Sequence, residues 1–145
     1  MDDQEKQDRE RHKKRSLKRY RKNNECIDRL ENKLRKIEDR ITAIKSSNYS
    51  GMPRGGVPVT IDDLLSDKMD LEKRIARLKA KSRDLKNAVC EEIDSLGDPR
   101  YCEILEAYYI DNLSFEDIAE ELGYSPRHVI ALYSEAISIL SVIDQ

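Results

Sequence analysis

Apolar residues from position 27 onward recur at alternating intervals of three and four. The first series consists of Ile27, Leu30, Leu34, Ile37, Ile41 and Ile44, and the positions between them are polar or small. This spacing places the apolar side chains on one narrow stripe of an α-helix, as in the seam of a coiled coil. A helix with a single apolar stripe has to cover it against another helix. We therefore expect a long helix that packs against a partner along this seam.

A second seam follows after a segment that breaks helices. Residues 46–59 read SSNYSGMPRGGVPV and predict a loop, because Ser, Gly and Pro are concentrated there. Thr60 is suited to cap the next helix. The seam of that helix consists of Leu64, Lys68, Leu71, Ile75, Leu78, Ser82, Leu85 and Val89. Two seams joined by a loop predict a long antiparallel helical hairpin, a coiled coil in which each stripe covers the other.

A basic segment precedes the first seam. Residues 9–22 read RERHKKRSLKRYRK, and this stretch is either an extension of the helix or a disordered arm. Clustered cations gain affinity for nucleic acid by releasing counterions from phosphate, although a solvated helical face explains the same run equally well. The candidate phosphate-binding residues are Arg11, Lys13, Lys14, Arg15, Lys18, Arg19, Arg21 and Lys22. A parallel zipper of the bZIP type is an alternative, but the loop interrupts the first seam after three heptads.

Caps and small residues between positions 97 and 140 predict three short helices. Asp98 and Pro99 are suited to begin the first of them. Its apolar face consists of Tyr101, Ile104, Leu105, Tyr108 and Tyr109. Ser114 is suited to cap the second helix, and Ser125 the third. The sequence as a whole therefore predicts an all-α chain with a small compact unit at its C-terminal end.

The second and third of these short helices have the spacing of a helix-turn-helix. Ala119 is small enough for two helices to cross closely, and Gly123 suits the left-handed conformation of a tight turn. Val129 and Leu132 are spaced to bury one face of the third helix. An ordinary helical hairpin with the same turn is the alternative interpretation. In a DNA-binding helix-turn-helix, the third helix would enter the major groove.

The candidate DNA-binding residues lie on the face of the third helix that Val129 and Leu132 leave free. They are Tyr124, Ser125, Arg127, His128, Ala131 and Ser134. Arg127 is the foremost of them, because a guanidinium group can donate two parallel hydrogen bonds to guanine or to phosphate. His128 carries less weight, since a lone histidine on a surface is more often a bystander than a reader of bases.

The C-terminal sequence resembles a known DNA-binding region. The stretch YYIDNLSFEDIAEELGYSPRHV and the trailing AISIL are similar to the fourth conserved region of sigma-70 factors, which binds the −35 promoter element. With its basic N-terminal segment and a hairpin that contains YSGMPRGG, the chain resembles phage late-gene regulators of the ArpU and RinA type. The resemblance implies sequence-specific DNA binding that activates phage or prophage genes in a Gram-positive host.

Composition and charge change this picture in one respect. Charged residues make up 39% of the chain and aromatic residues 6%, which favours long solvated helices over one large core. Residues 1–96 hold 25 Lys and Arg against 19 Asp and Glu, whereas residues 97–145 hold 2 against 10. An acidic C-terminal unit is repelled by DNA at long range. The basic segment, dimerisation or RNA polymerase would have to supply further affinity.

These patterns divide the chain into three expected parts: a basic segment over residues 1–25, the coiled-coil hairpin over 26–96, and a sigma-70 region-four-like helix-turn-helix domain over 97–145. The expected function is that of a DNA-binding transcription regulator that forms a homodimer or higher homo-oligomer through the hairpin. One alternative is an adaptor that docks on RNA polymerase or on a sigma factor. Another is the small subunit of a phage DNA-packaging machine.

The sequence lacks the signs of an enzyme site. The only histidines are His12 and His128, no glycine-rich loop is placed to bind phosphate, and Cys26, Cys90 and Cys102 lack the spacing of zinc ligands. We expect no catalytic residue, no metal and no cofactor.

No apolar run approaches the roughly 20 residues of a membrane span, and the N-terminus has no signal-peptide segment. We therefore expect the chain to stay in the bacterial cytoplasm, without membrane contact.

Overall fold

The computed structural model describes residues 2–46 and 60–141. Its helices are α1 (Asp3–Leu17), α2 (Arg19–Ser46), α3 (Ile61–Asp94), α4 (Pro99–Tyr109), α5 (Phe115–Leu122) and α6 (Pro126–Ile139). The described residues contain no strand, which confirms the expectation of an all-α chain. The predicted loop over 46–59, which includes YSGMPRGG, lies outside the described residues except for Ser46, the last residue of α2.

Hydrogen bonds to capping side chains confirm the four predicted helix starts. Oγ1 of Thr60 accepts a hydrogen bond from the backbone N–H three residues on, at 3.1 Å. The carboxylate of Asp98 accepts one from the N–H two residues on, at 2.9 Å. The hydroxyl groups of Ser114 and Ser125 cap α5 and α6 in the same manner, at 3.1 and 3.2 Å. These side chains satisfy N–H groups that the first turn of a helix leaves without a partner.

The chain groups into two compact units, one of residues 24–81 and the other of residues 1–23 and 82–145. In the 24–81 unit, Ile27, Leu30 and Ile75 form a buried apolar cluster. Half-buried side chains pack against it from Cys26, Leu34, Leu71 and Leu78. All of these except Cys26 are predicted seam positions, so burial in this unit follows the intervals of three and four.

Two ion pairs join α2 to α3 within the 24–81 unit. Nζ of Lys79 lies 2.9 Å from Oε1 of Glu31, and Nζ of Lys68 lies 3.8 Å from Oε1 of Glu38. Residues that come later in α2 therefore meet residues that come earlier in α3.

The apolar core of the other unit is built from residues that are far apart in the chain. It consists of Leu17, Val89, Ile93, Leu105, Tyr109, Ala136, Ile137 and Leu140. Each is at most 2% exposed. Burial of a Leu or Ile side chain contributes about 1.5–3 kcal/mol relative to leaving it exposed. The first helix of the chain is therefore packed into the same core as α3, α4 and α6.

Glu92 is a buried carboxylate in this unit, with 3% of its surface exposed. Its Oε1 accepts a hydrogen bond from Nη2 of Arg19 at 2.6 Å. The single hydroxyl hydrogen of Ser16 is shared between Oε1 and Oε2, which lie 2.9 and 3.0 Å from its Oγ. A buried carboxylate is tolerated only when such partners compensate for the loss of water. The three side chains therefore tie the junction of α1 and α2 to α3.

An aromatic cluster links α4 to α6. The hydroxyl groups of Tyr109 and Tyr133 lie 2.6 Å apart, and the ring of Tyr108 stacks on Phe115 with centroids 4.7 Å apart. Burial raises the pKa of both Tyr109 and Tyr133, which makes deprotonation of either hydroxyl less favourable than in water. The guanidinium of Arg21 covers the ring of Tyr108 and donates a hydrogen bond to its carbonyl oxygen near the end of α4.

Candidate nucleic-acid interface

A three-residue turn joins α5 to α6. Gly123 ends α5 with a φ of +73°, and its N–H and that of Tyr124 both donate to the carbonyl oxygen of Ala119. Ser125 then caps α6, and Pro126 is its first residue. The left-handed conformation at Gly123 turns the chain sharply enough for the two helices to pack on each other.

The core beneath this turn holds α4, α5 and α6 together. It consists of Ile104, Ile118, Ala119, Val129 and Leu132, each at most 3% exposed. A larger side chain in place of Ala119 would have to find room inside this closed cluster. Because Val129 and Leu132 point into the core, the opposite face of α6 is exposed to solvent.

The structure places the six candidate residues of the third helix together. Arg127, Ala131 and Ser134 are exposed at helical intervals of four and three, and Ser125 and His128 are exposed beside them. Tyr124 is half-buried in the turn, and its ring meets the ring of His128 edge-on with centroids 4.8 Å apart. We call this set, Tyr124, Ser125, Arg127, His128, Ala131 and Ser134, the α6 face.

Arg127 is the cation of the α6 face. Among the described residues, its side chain forms no hydrogen bond and no ion pair. The first turn of α6 contains no acidic residue, whereas that of α5 contains Glu116 and Asp117. The N-terminal end of a helix carries a partial positive charge. Arg127 therefore lies at the end of α6 that best tolerates a negatively charged ligand, although the unit is acidic as a whole.

The only acidic residue of α6 is Glu135, next to Ser134 of the α6 face. Its Oε2 accepts a hydrogen bond from the hydroxyl of Tyr101 on α4 at 2.8 Å, and this contact raises the pKa of Tyr101. The single acidic residue of α6 is thus engaged in a contact within the protein. The exposed carboxylates of α5 lie on the helix that precedes the turn.

The predicted basic segment is helical, and half of its candidate cations contact other parts of the protein. Nζ of Lys13 donates hydrogen bonds to the carbonyl oxygens of Ile137 and Ser138 at 3.0 and 3.1 Å, at the C-terminal end of α6. Arg19 pairs with Glu92 and Arg21 contacts Tyr108, as described above, and Nζ of Lys14 lies 6.0 Å from the centroid of the Tyr133 ring. Arg11 pairs at 4.0 Å with Asp8 on the surface, Arg15 and Lys22 are exposed, and Lys18 is half-buried.

The basic segment contacts the C-terminal end of α6, whereas Arg127 of the α6 face lies near the N-terminal end of the same helix. Ten residues separate Arg127 from Ile137, which is on the order of 15 Å along a helix axis. The sequence pattern did not reveal that Lys13, Arg19 and Arg21 have partners inside the protein, because those partners lie 73 to 125 residues away in the chain. No local spacing indicates such pairs.

The turn at Gly123 leads to a test of backbone strain. A Cβ atom added at Gly123 would meet no atom within 4 Å, so the cost of a substitution there comes from the left-handed φ alone. We expect Gly123→Ala to lower the free energy of unfolding by about 1 kcal/mol, and Gly123→Asn by less, because Asn tolerates this conformation better. Chemical denaturation measures both; equal costs for Ala and Asn would show that strain at φ is not the cause.

The described residues show no metal site. Residues 2–46 and 60–141 contain no group of three or more His, Cys, Asp or Glu side chains arranged to hold an ion. Cys26, Cys90 and Cys102 are half-buried free thiols. Burial raises the pKa of Cys90 and of Cys102, so both stay protonated at neutral pH. In the same part of the chain, no helix has both the length and the apolar character that crossing a bilayer requires.

Comparison of the chain with protein-family models, with curated proteins and with solved structures finds no match. Its class is therefore set by the described residues themselves, which form an all-helical protein with a buried three-helix core and an exposed, partly basic face on its last helix.

Proposed function

We propose that this protein is a DNA-binding transcription regulator in which α5, the turn at Gly123 and α6 form a helix-turn-helix. In this arrangement α6 lies in the major groove and the α6 face contacts base edges and phosphates. The observation that carries the proposal is the exposed, unpaired side chain of Arg127 in the first turn of a helix whose opposite face is buried.

The electrostatics at the start of α6 support the same proposal. A guanidinium at the positive end of a helix can donate two hydrogen bonds to guanine or to a phosphate group. Ser125 and His128 add hydrogen-bonding groups within one turn of Arg127. Ala131 contributes a methyl group, which suits contact with the methyl group of thymine.

We further propose that residues 24–81 form an antiparallel helical hairpin that supports a homo-oligomer. The two ion pairs between α2 and α3, Glu31 with Lys79 and Glu38 with Lys68, support opposite helix directions. The resemblance to sigma-70 region four and to ArpU- and RinA-type regulators extends the proposal to activation of phage or prophage genes together with RNA polymerase. Oligomers of this kind would present two or more α6 faces to one operator.

Selection of binding sites from random duplexes, followed by substitution of Arg127, tests the reading role of α6. We expect Arg127→Ala to lower the ratio of affinities for the selected and random duplexes by about 5- to 150-fold, which corresponds to about 1–3 kcal/mol of lost discrimination. Arg83→Ala is the control, because Arg83 is an exposed arginine on α3. An unchanged ratio for Arg127→Ala would remove α6 from the role of reader.

A second candidate function is that of an adaptor that docks on RNA polymerase or on a sigma factor. It is favoured by Ile130, which lies between Arg127 and Ala131 on α6 and is 47% exposed. An exposed branched apolar side chain within an acidic unit suits a contact with a basic protein surface. Copurification with RNA polymerase that is lost on Ile130→Ser, without selection of any duplex, would establish the adaptor role instead.

A further inference from the structure

The two flanks of the 24–81 unit differ in how their charges are compensated. On one flank, Lys79 pairs with Glu31 across the helices, and Lys68 pairs both with Glu38 across the helices and with Glu72 along α3. Both of these lysines thus lie within 4 Å of a carboxylate. We call it the paired flank.

The opposite flank carries cations without such partners. Lys33 and Lys36 of α2 and Arg74 of α3 line one surface groove together with Ile37 and Leu71. Residues three and four apart in a helix are neighbours on its surface, which adds one arginine of α2 and two cations of α3 to the same side. This basic flank consists of Arg29, Lys33, Lys36, Arg74, Arg77 and Lys81.

All six residues of the basic flank are exposed, and none forms an ion pair with a described residue within 4.0 Å. The guanidinium of Arg29 has a weak contact with the sulfur of Cys26 at 3.8 Å. Two carboxylates, those of Asp67 and Asp70, line one end of the groove. Glu25 and Asp28 line a neighbouring groove together with three of these cations. The six cations still outnumber these four carboxylates, and none of the six lies within 4.0 Å of a carboxylate oxygen of a described residue.

The cations of the basic flank form two rows on rigid helices. Arg29 to Lys36 and Arg74 to Lys81 each span seven residues, or about 10 Å. The axes of packed helices lie about 8–10 Å apart, so the rows are held at a fixed separation. Such an array fits a partner that carries a dense, regular negative charge. Duplex DNA is such a partner, with one charge per about 1.7 Å of its axis.

We propose that the basic flank binds the phosphate backbone of duplex DNA without reading its sequence, as a contact surface separate from the α6 face. The proposal rests on the proposed function only in taking duplex DNA as the ligand. It accounts for two observations: residues 97–145 carry an excess of acidic residues, and four of the eight candidate cations of the basic segment contact other parts of the protein. Lys and Arg on this flank gain affinity by releasing counterions from the duplex.

A bilayer surface fits the basic flank less well. Helices that lie on membranes insert exposed aromatic or leucine side chains beside their cations. The apolar members of this groove, Ile37 and Leu71, are half-buried between the helices. They offer little surface for insertion.

The test compares two double variants on the same helix with the same change in net charge. Arg74→Gln/Arg77→Gln removes two cations of the basic flank, and Lys68→Gln/Lys79→Gln removes two of the paired flank. The affinity of the full-length protein for a short random duplex is measured over a salt series. We expect the flank variant to reduce the slope of log affinity against log salt by about 2, because each lost phosphate contact removes about 0.9. The control variant keeps the wild-type slope.

A third variant, Arg74→Lys/Arg77→Lys, keeps the charges and should keep the wild-type slope. Equal slopes for the two Gln variants would overturn the proposal. It would also be overturned if Arg74→Gln/Arg77→Gln lost binding to anionic phosphatidylglycerol vesicles but bound the duplex as the wild type does. The α6 reading role is tested separately by Arg127→Ala. A flank effect with no Arg127 effect on discrimination leaves the flank proposal standing and removes the reading role, and the reverse result does the opposite. If the wild-type protein binds no duplex at any salt concentration, both proposals fail.

Discussion

Replacing Arg19 with alanine is expected to lower the free energy of unfolding by about 3 kcal/mol. The substitution removes the donor that lies 2.6 Å from the carboxylate of Glu92 and leaves a charge that is 3% exposed without its cation. Breaking a buried ion pair from one side costs about 3–5 kcal/mol. The lower end applies, because the side chain of Arg19 is 30% exposed and the hydroxyl of Ser16 still donates to the carboxylate of Glu92. Urea denaturation followed by circular dichroism measures the change.

Two further variants separate burial from ion pairing as the cause. Lys79→Ala removes the partner of Glu31 from a pair of similar length, 2.9 Å, whose side chains are 60% and 39% exposed, and we expect it to cost less than about 1 kcal/mol. The double variant Arg19→Met/Glu92→Leu removes both charges of the pair and should recover most of the stability lost in Arg19→Ala. Equal costs for Arg19→Ala and Lys79→Ala would contradict a special role for the buried carboxylate.

Ile104→Ala is expected to cost about 3 kcal/mol and to weaken sequence-specific DNA binding as well. Ile104 is fully buried in the cluster that joins α4 to α5 and α6, and large-to-small substitutions of buried Ile cost about 2–5 kcal/mol. Loss of this contact loosens the support for α6, so the α6 face is held less firmly in one geometry. Denaturation gives the first effect, and binding to the selected duplex gives the second.

Ile130→Ala is the matched control, because it is the same chemical truncation on a side chain that is 47% exposed. Its expected cost in stability is below about 1 kcal/mol. If the two truncations cost the same, Ile104 would not belong to the core that supports α6. If Ile104→Ala destabilises the protein but leaves specific binding intact under folding conditions, the geometry of α6 does not depend on this cluster.

Local chemistry explains why much of the helical pattern is predictable. A cap such as Ser114 or Ser125 bonds to the N–H group three residues away, and the left-handed φ at Gly123 depends on that residue alone. Each acts within a span that the sequence displays directly. The burial of Ile27, Leu30 and Ile75 likewise follows from helical periodicity. The all-α class and the starts of α3, α4, α5 and α6 were predicted correctly for this reason.

The roles of individual cations are less predictable than the helices that carry them. Lys13 and Arg21 have the same local appearance as Arg15 and Lys22, a basic side chain in a basic run. In the structure, Lys13 bonds to carbonyl oxygens at the end of α6 and Arg21 to the carbonyl oxygen of Tyr108, whereas Arg15 and Lys22 are exposed. The phosphate-binding role of the segment remains a prediction for its exposed members.

The candidate DNA interface was predicted from the sequence. Five of its six residues are exposed on α6 or at its cap, whereas Tyr124 is half-buried in the turn. What spacing cannot provide is the charge environment around that face. Glu135 contacts Tyr101 only because α4 and α6 lie side by side. The basic flank, which includes Lys33 and Arg74, likewise depends on the packing of α2 against α3. Charge compensation is a property of neighbours in space.

By itself, the sequence of this protein determines where helices begin, which stripe of each is apolar and where a left-handed turn is needed, because those choices depend on interactions within a few residues. The tertiary structure alone decides that Arg19 neutralises a buried Glu92, that α1 packs into the core of the C-terminal helices, and which cations of α2 and α3 stay unpaired. The physical reason is that burial and pairing depend on distances between side chains, and side chains 70 or more residues apart are brought together only by packing of the whole unit.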